Sequence, residues 1–323
     1  MNKLLLLLSF LMLVACAPSK TASPISDPSP SSRNVVASRQ YIVQQRLSLV
    51  NEGDRSPDKQ NLWVALIHDV SPYQEVISRN VSPRTYTLVT DEYGNQYAEF
   101  DFSAHPAKTT IAVDIEYKVM VNELVYDLSS CEGELPVEFT QPELHIESAN
   151  PQILSLSADL SKRKKTACEQ VRAFYDYIGN ELTYTYNRND WGAQATLGYM
   201  GADCTEYASL MIALSRAAGI PARYYEGLLY LEDPNTEIAK TEHAWLDVFL
   251  PASGWVAMDP TLGRALGSRE TYFAHYTADH IIVTTGRNPS TLRGANYWSH
   301  LYWPGNSTTI RIKDAGWTIT PSP

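Results

Sequence analysis

Three residues in the second half of the chain are of the types that carry out nucleophilic catalysis: Cys204, His243 and Asp259. Cys204 begins an apolar helical pattern, and a thiol at a helix N-terminus faces unpaired N–H groups and the positive end of the helix dipole, which favour the thiolate. A histidine can take the thiol proton, and an aspartate beside it fixes the imidazole tautomer and supports the imidazolium. Together these residue types predict thiol chemistry at a carbonyl carbon.

The helix that must position Cys204 is predicted from its apolar period and its end signals. The pattern starts at Cys204 and is ended by Ile220-Pro221. Asp203 and Glu206 oppose a thiolate, and their spacing is that of an N-cap residue and its capping-box partner. A partner base is therefore needed to hold the thiolate in an ion pair.

Two strand patterns must position the other two residues. They run from His243 to Leu250 and from Trp255 to Met258, with a turn between them. Antiparallel pairing would place His243 and Asp259 near the same end of a sheet, although the two strands differ in length. Each residue alone has an ordinary alternative, as a buried inert thiol, a surface histidine or a turn aspartate. The ordered set with its flanking segments favours the chemical interpretation.

Four stretches around these residues resemble the transglutaminase-like superfamily, which shares a papain-like thiol core. They are Gly201-Ala-Asp-Cys-Thr-Glu-Tyr-Ala208, Arg216-Ala-Ala-Gly-Ile-Pro-Ala-Arg223, His243-Ala-Trp-Leu-Asp-Val248 and Gly254-Trp-Val-Ala-Met-Asp-Pro-Thr261. The resemblance covers roughly residues 165 to 265 and keeps the family order of Cys, His and Asp. One departure is Ala202, where many bacterial members have glycine before the Asp-Cys pair, and it leaves the reactive residues in place.

The resemblance implies a role for each residue of the set. Cys204 would be the nucleophile, His243 the base and then the acid, and Asp259 the orienting residue. The thiolate would attack a carboxamide or peptide carbonyl to form a thioester, which an amine or water resolves, and no cofactor is implied. Such chemistry requires an oxyanion donor. The backbone N–H of Cys204 is one candidate, and a second is sought among three upstream side chains: Gln194, Trp191 and Tyr199.

Three functions from different classes are consistent with these features. The first is a cysteine protease or amidase acting on peptide or glutamine amides, which is favoured because water is abundant and no segment encodes a recognisable amine-donor site. The second is a transglutaminase that crosslinks proteins. The third is a binding or scaffold protein with a vestigial catalytic set, which the intact trio argues against.

The N-terminus predicts export and lipidation. Lys3 precedes an apolar run from Leu4 to Val14, which is long enough for a signal peptide and too short to span a bilayer. Leu13-Val14-Ala15-Cys16 resembles the bacterial lipobox, which implies cleavage after residue 15 and acylation of Cys16. The residue after Cys16 is Ala17, and by the same resemblance a residue other than aspartate at this position implies anchoring in the outer membrane rather than the inner one. We therefore expect a lipid anchor on the periplasmic face of the cell envelope, with envelope peptides or proteins as substrates.

The remaining pattern predicts two folded domains after a tether. Residues 1–15 are interpreted as the signal peptide and 16–39, rich in Pro and Ser, as the lipidated cysteine and a flexible tether. Residues 40–150 show alternation of apolar and polar residues, which predicts an antiparallel β-sandwich. Residues 151–323 are interpreted as the catalytic domain, with closing strands after Thr261. The predicted fold class is α+β.

Charge, cysteine and histidine content indicate which partners, disulfides and metal sites are expected. The 323 residues carry a formal net charge of −10, which argues against nucleic acid as the main partner. Cys131 and Cys168 remain in an oxidising compartment, and a disulfide between them would rigidify the domain junction. His275 and His280 lie five positions apart, but no further ligands complete a zinc set, so no metal site is predicted.

Overall fold

A computed structural model describes residues 33–186, 192–198, 201–232, 241–287, 299–304 and 308–322. The helices are α1 (Pro151–Ser161), α2 (Ala167–Glu181), α3 (Gly192–Thr196) and α4 (Cys204–Ala217). The strands are β1 (Arg33–Asn51), β2 (Asn61–Leu66), β3 (Gln74–Ser82), β4 (Thr87–Thr90), β5 (Gln96–Asp101), β6 (Thr110–Tyr126), β7 (Ala222–Leu229), β8 (Glu242–Leu250), β9 (Gly254–Met258), β10 (His275–Tyr276), β11 (His280–Thr285), β12 (Ser299–Tyr302) and β13 (Ile310–Ser322). Across these ranges, no helix is both long and apolar enough to cross a membrane.

Two antiparallel sheets form the N-terminal sandwich. One has the order β10-β6-β1-β13, with β3 also paired to β6, and the other has the order β12-β2-β5-β4. The alternation seen in the sequence is the burial pattern of β6, whose apolar side chains from Val113 to Val121 point into the core at every second position. The mixed α+β class with this sandwich and a papain-like domain is confirmed.

Two predicted boundaries need correction. The predicted tether extends to residue 39, but residues 33–39 are strand, paired with β6 from Arg33↔Tyr126 onward. Most of this segment is exposed, so no periodic burial of apolar side chains marks it in the sequence. The strands expected to close the catalytic domain instead complete the sandwich, because β12 pairs with β2 and β13 with β1. A strand pattern identifies a strand but not its partner.

The catalytic domain lies between the two parts of the sandwich in sequence. Its four-stranded antiparallel sheet has the order β11-β7-β8-β9, and α4 packs against β7 and β8. Every residue of α4 from Glu206 to Arg216 is buried, so this helix is the centre of the domain. The sequence analysis does not predict helix α1, although Asn150 as N-cap and Pro151 in its first turn are helix-start signals.

Two side-chain amides of the sandwich bind the edge strand of the catalytic sheet. Gln74 donates from Nε2 to the Ile282 carbonyl (2.8 Å) and accepts from the Ile282 N–H (2.7 Å). Asn95 makes the same pair of bonds with Thr285, at 2.8 and 2.7 Å. The amides thus take the place of a neighbouring strand along β11, and all four residues involved are buried.

A disulfide and a network of polar side chains also connect the catalytic domain to the part of the chain that precedes it. Cys131 and Cys168 form a disulfide with a Cα–Cα distance of 6.0 Å, which ties the segment after β6 to the start of α2. Tyr73 of the sandwich donates to Asp247 of β8 (2.9 Å), and Arg223 of β7 forms an ion pair with the same carboxylate. The catalytic sheet is therefore held against the sandwich by polar contacts that are nearly all buried.

The amide contact to β11 makes a testable contribution to stability. Replacing Gln74→Met keeps the length of the side chain but leaves the Ile282 N–H and carbonyl unpaired in a buried position. We expect a loss of about 3 kcal/mol in the free energy of unfolding, since each buried unsatisfied group costs about 1–3 kcal/mol. Urea unfolding measures it.

The matched control is Gln44→Met, because Gln44 is an exposed amide of β1 that bonds to Glu116. Its substitution should change the free energy by no more than about 0.5 kcal/mol. Equal effects of the two substitutions would contradict the role given to Gln74.

Candidate active site

Cys204 is the first residue of α4, and a capping box fixes the backbone around it. The Asp203 side chain accepts from the Thr205 N–H (3.0 Å), and the Glu206 side chain accepts from the Asp203 N–H (3.1 Å). This is the capping arrangement that the sequence predicts for Asp203 and Glu206. The box does not use the N–H of Cys204, which sits at the positive end of the helix beside its own half-buried thiol.

His243 and Asp259 form a short hydrogen bond in a buried position. The distance from His243 Nε2 to Asp259 Oδ2 is 2.6 Å, and both side chains are almost fully buried. His243 is the second residue of β8, and Asp259 directly follows β9, which pairs with β8 through Leu246↔Met258. The longer β8 carries His243 past the end of β9, and Asp259 leaves the ladder to meet it there.

The Asp259 carboxylate is saturated with hydrogen-bond donors. Oδ1 accepts from the N–H groups of Thr261 (2.8 Å) and Leu262 (3.0 Å), which begin the short 3₁₀ turn after the strand. Oδ2 faces His243 and also His280 Nε2, at 3.2 Å. Burial raises the pKa of Asp259, but the charges and hydrogen bonds of the two histidines outweigh it and hold that pKa well below its usual range. Asp259 is therefore an ionised, oriented acceptor.

The opposite ring nitrogen of His243 is left for the thiol. Within the described residues, Nδ1 of His243 is buried and makes no hydrogen bond that meets ordinary geometric limits. Burial lowers the pKa of His243, while the charge and hydrogen bond of Asp259 and the interaction with Cys204 raise it, and the net effect is a pKa of about 9. The imidazole is thus built to keep a proton at neutral pH while it lies beside Cys204.

A second histidine lies on the far side of Asp259. His280 begins β11, and its Nδ1 is 2.8 Å from Asp279 Oδ1 while its Nε2 faces Asp259. The sequence analysis assigns His280 no catalytic role. Its ligand-type atoms and those of His243 and Asp259 lie within 4.8 Å of one another, a spacing that a cation could also use. Because the shared Oδ2 already sits at hydrogen-bond distance from both rings, we assign the cluster to hydrogen bonding.

The other predicted site residues are placed differently. Gln194 lies on α3 with an exposed side chain, and its backbone N–H donates to Glu147 (3.0 Å), so its described contacts do not join it to Cys204. Trp191, Tyr199 and the lipidation residue Cys16 lie outside the described residues. Tyr184, which the sequence analysis does not consider, is close enough to Cys204 for the thiol to contribute to raising its pKa, after the larger effect of burial.

Comparisons with known proteins identify the superfamily of the segment that carries these residues. The family model of the transglutaminase-like superfamily matches residues 154–260. YebA, an uncharacterised protein of Bacillus subtilis strain 168, is 30% identical over 138 residues, which cover 36% of this chain and 18% of YebA. The chain therefore spans less than a fifth of the length of that relative.

A solved structure shares the fold. A candidate cysteine protease from Cytophaga hutchinsonii superposes with a TM-score of 0.64 at 15% identity, covering 90% of this chain and 92% of that one. The alignment with the periplasmic domain of TgpA from Pseudomonas aeruginosa, also at 15% identity, covers 75% of this chain and 99% of that one, with a TM-score of only 0.34. The segment 154–260 of this chain thus belongs to the transglutaminase-like superfamily.

Proposed function

We propose that this protein is a thiol enzyme of the cell envelope that cleaves peptide or glutamine amide bonds through a thioester on Cys204. The observation that carries the proposal is the buried 2.6 Å hydrogen bond between His243 and Asp259 beside a half-buried thiol at a helix N-terminus. This arrangement combines a nucleophile, a base and an orienting carboxylate in the order that thiol acyl transfer requires.

The reaction begins with a thiolate–imidazolium pair. His243 takes the thiol proton on Nδ1, and its Nε2–H remains bonded to Asp259. The Cys204 sulfur then attacks the amide carbon, and the carbonyl oxygen becomes an oxyanion that the Cys204 N–H, unused by the capping box, is placed to bind. His243 returns its proton from Nδ1 to the departing amine, which leaves an acyl thioester on Cys204.

The second half of the reaction reverses these roles. Water enters where the amine left and gives a proton to neutral His243 as its oxygen attacks the thioester carbon. The tetrahedral intermediate collapses with loss of the Cys204 sulfur, and the acid product is released. A primary amine in place of water would give an isopeptide or amide product, which is the crosslinking alternative.

Alkylation by iodoacetamide tests the reactive thiol without knowledge of the substrate. Near pH 7 we expect Cys204 to react about tenfold faster than a free peptide thiol, which is only a few per cent thiolate at that pH. His243→Ala should remove that advantage, because the imidazolium partner is lost. Peptide mapping by mass spectrometry gives the rate at Cys204 itself.

The control is His68→Ala, since His68 is a buried histidine of the sandwich whose ring bonds to the Leu66 carbonyl. If Cys204 reacts no faster than the peptide thiol, or if His243→Ala leaves its rate unchanged, the protein is a binding or scaffold protein instead.

Product analysis separates hydrolysis from crosslinking. Glutamine-containing peptides are incubated with a biotinylated alkylamine as a competing acceptor, and we expect new amine termini or released acid to exceed biotin incorporation. The rate should fall as the pH rises through about 9, because His243 loses above that pH the proton it gives to the leaving amine. Predominant biotin incorporation would identify a transglutaminase, and Cys204→Ala is the blank.

We further propose that Cys16 is the lipid anchor that holds the enzyme at the outer membrane, facing the periplasm and its peptide or protein substrates. The support is the lipobox-like Leu13-Val14-Ala15-Cys16 after an apolar run. In a bacterial host fed a clickable palmitate analogue, the chain should carry the label and fractionate with membranes. Cys16→Ser should abolish both, and label retained in that variant would refute the anchor.

A further inference from the structure

One buried histidine next to the proposed catalytic set is not used by the proposed reaction. Both ring nitrogens of His280 face a carboxylate: Nε2 lies 3.2 Å from Asp259 Oδ2, and Nδ1 lies 2.8 Å from Asp279 Oδ1. The side chain is only 3% exposed. A buried group with two acidic neighbours needs a chemical account of its own.

The protonation state of His280 follows from its two acceptors. An ionised carboxylate can only accept, so a hydrogen bond to each of Asp259 and Asp279 requires a proton on both ring nitrogens. His280 is then an imidazolium between two negative charges. Asp279 Oδ1 also accepts from the hydroxyl of Thr277, whose oxygen lies 2.9 Å from His280 Nδ1. Because the Thr277 proton is directed to Asp279, that oxygen can only accept a hydrogen bond from Nδ1, which again requires a proton there.

The other groups that face His280 are the Thr277 hydroxyl, 2.9 Å from Nδ1, and four aromatic rings, of which His243 carries a like charge. Trp245 lies with its ring 4.8 Å from that of His280, Tyr276 at 5.6 Å, His243 at 5.8 Å and Tyr272 at 6.4 Å. Burial lowers the pKa of His280, but the charges and hydrogen bonds of Asp279 and Asp259 outweigh it and raise it to about 9. The two imidazolium rings are thus offset by the buried carboxylate of Asp259 and by that of Asp279, which is 27% exposed.

The sandwich fixes the loop that carries His280. Tyr41 of β1 donates to the Ala278 carbonyl (3.0 Å), and Tyr276 donates to the His280 carbonyl (2.7 Å). The preceding strand β10 pairs with β6 through Tyr276↔Leu124. The position of His280 relative to Asp259 is thus set jointly by the sandwich and by the pairing of β11 with β7, in which His280 lies opposite Leu229.

We propose that His280 is a positioning residue: held as an imidazolium by Asp279, it donates to Asp259 and keeps that carboxylate ionised and turned toward His243. The proposal rests on the proposed function, because it assigns His280 a role in the same reaction. Hydrogen-bond partners of metal-ligating residues change activity by about 10–100-fold when removed, and we expect an effect at the low end of that range here.

Nitrogen NMR of the protein labelled at histidine tests the charge directly. We expect both ring nitrogens of His280 to show imidazolium shifts at pH 7, and Asp279→Asn to return His280 to a neutral ring at the same pH. A neutral His280 ring in the unmodified protein at pH 7 would overturn the proposal. The measurement does not depend on any activity of the protein.

Two variants of His280 distinguish the effect of losing its hydrogen-bond donor from the effect of losing its packing volume. His280→Leu fills the site without a donor, and we expect the alkylation of Cys204 near pH 7 to slow about tenfold. His280→Gln can still donate to Asp259 and should recover the rate to within about threefold of the unmodified protein. Thermal unfolding checks that both variants are folded, and His68→Leu is the control for loss of a buried histidine.

The outcomes distinguish the two proposals. A fast, His243-dependent Cys204 that is unaffected by His280→Leu would overturn the role of His280 and leave the proposed function intact, as would equal losses in the folded Leu and Gln variants. A Cys204 that is slow in the unmodified protein would overturn the proposed function itself, whatever NMR shows for His280.

Discussion

The structure depends on burying the Asp259 carboxylate as an anion. An ionised carboxylate loses its hydration on burial, at a cost of several kcal/mol that the donors around it must offset. Two backbone N–H groups hold one oxygen, and two histidines face the other. The end of β9, the 3₁₀ turn after it, and the first residues of β8 and β11 all have to meet at this one group. Their lengths and register are therefore fixed together.

Keeping the Asp259 carboxylate in place also requires that the catalytic sheet be held firmly against the sandwich. The sheet that carries His243 ends at β11, and the sandwich covers the outer backbone edge of that strand with the amides of Gln74 and Asn95. Tyr73 reaches further, to the Asp247 carboxylate inside the sheet. The sandwich, whose described strands carry none of the proposed catalytic residues, thus supplies the rigid frame in which a buried ion pair can keep its geometry. Rigid support of this kind is what catalytic groups need when their distances must hold to fractions of an ångström.

Much of the fold can be predicted from long periodic patterns of apolar residues, whereas single tertiary contacts leave no such pattern in the sequence. Helix α4 and strands β8 and β9 can be found because apolar residues recur along them, and their ends bring His243 and Asp259 together. The first half of β1 is exposed and has no such repeat, and the partner of β13 is a matter of tertiary pairing across the whole chain. No function is predicted for His280, because a polar residue at a strand start has no local signature of its role. The role proposed for His280 depends on its contact with Asp259, which lies in the loop after β9 and is brought close only by the tertiary fold.

The pairing of β1 with β13 bears on how the chain reaches its native state. β1 lies between β6 and β13, and its contacts with β13 join residues such as Gln40 and Ser322 that are separated by almost the whole described sequence. During synthesis from the N-terminus, β1 must wait with one edge unpaired until the entire catalytic domain has been made. Pairings over such separations close large loops and are slow to form. Strands of the sandwich are thus synthesised both before and after the catalytic domain, and its central sheet can be completed only once the catalytic domain has been made.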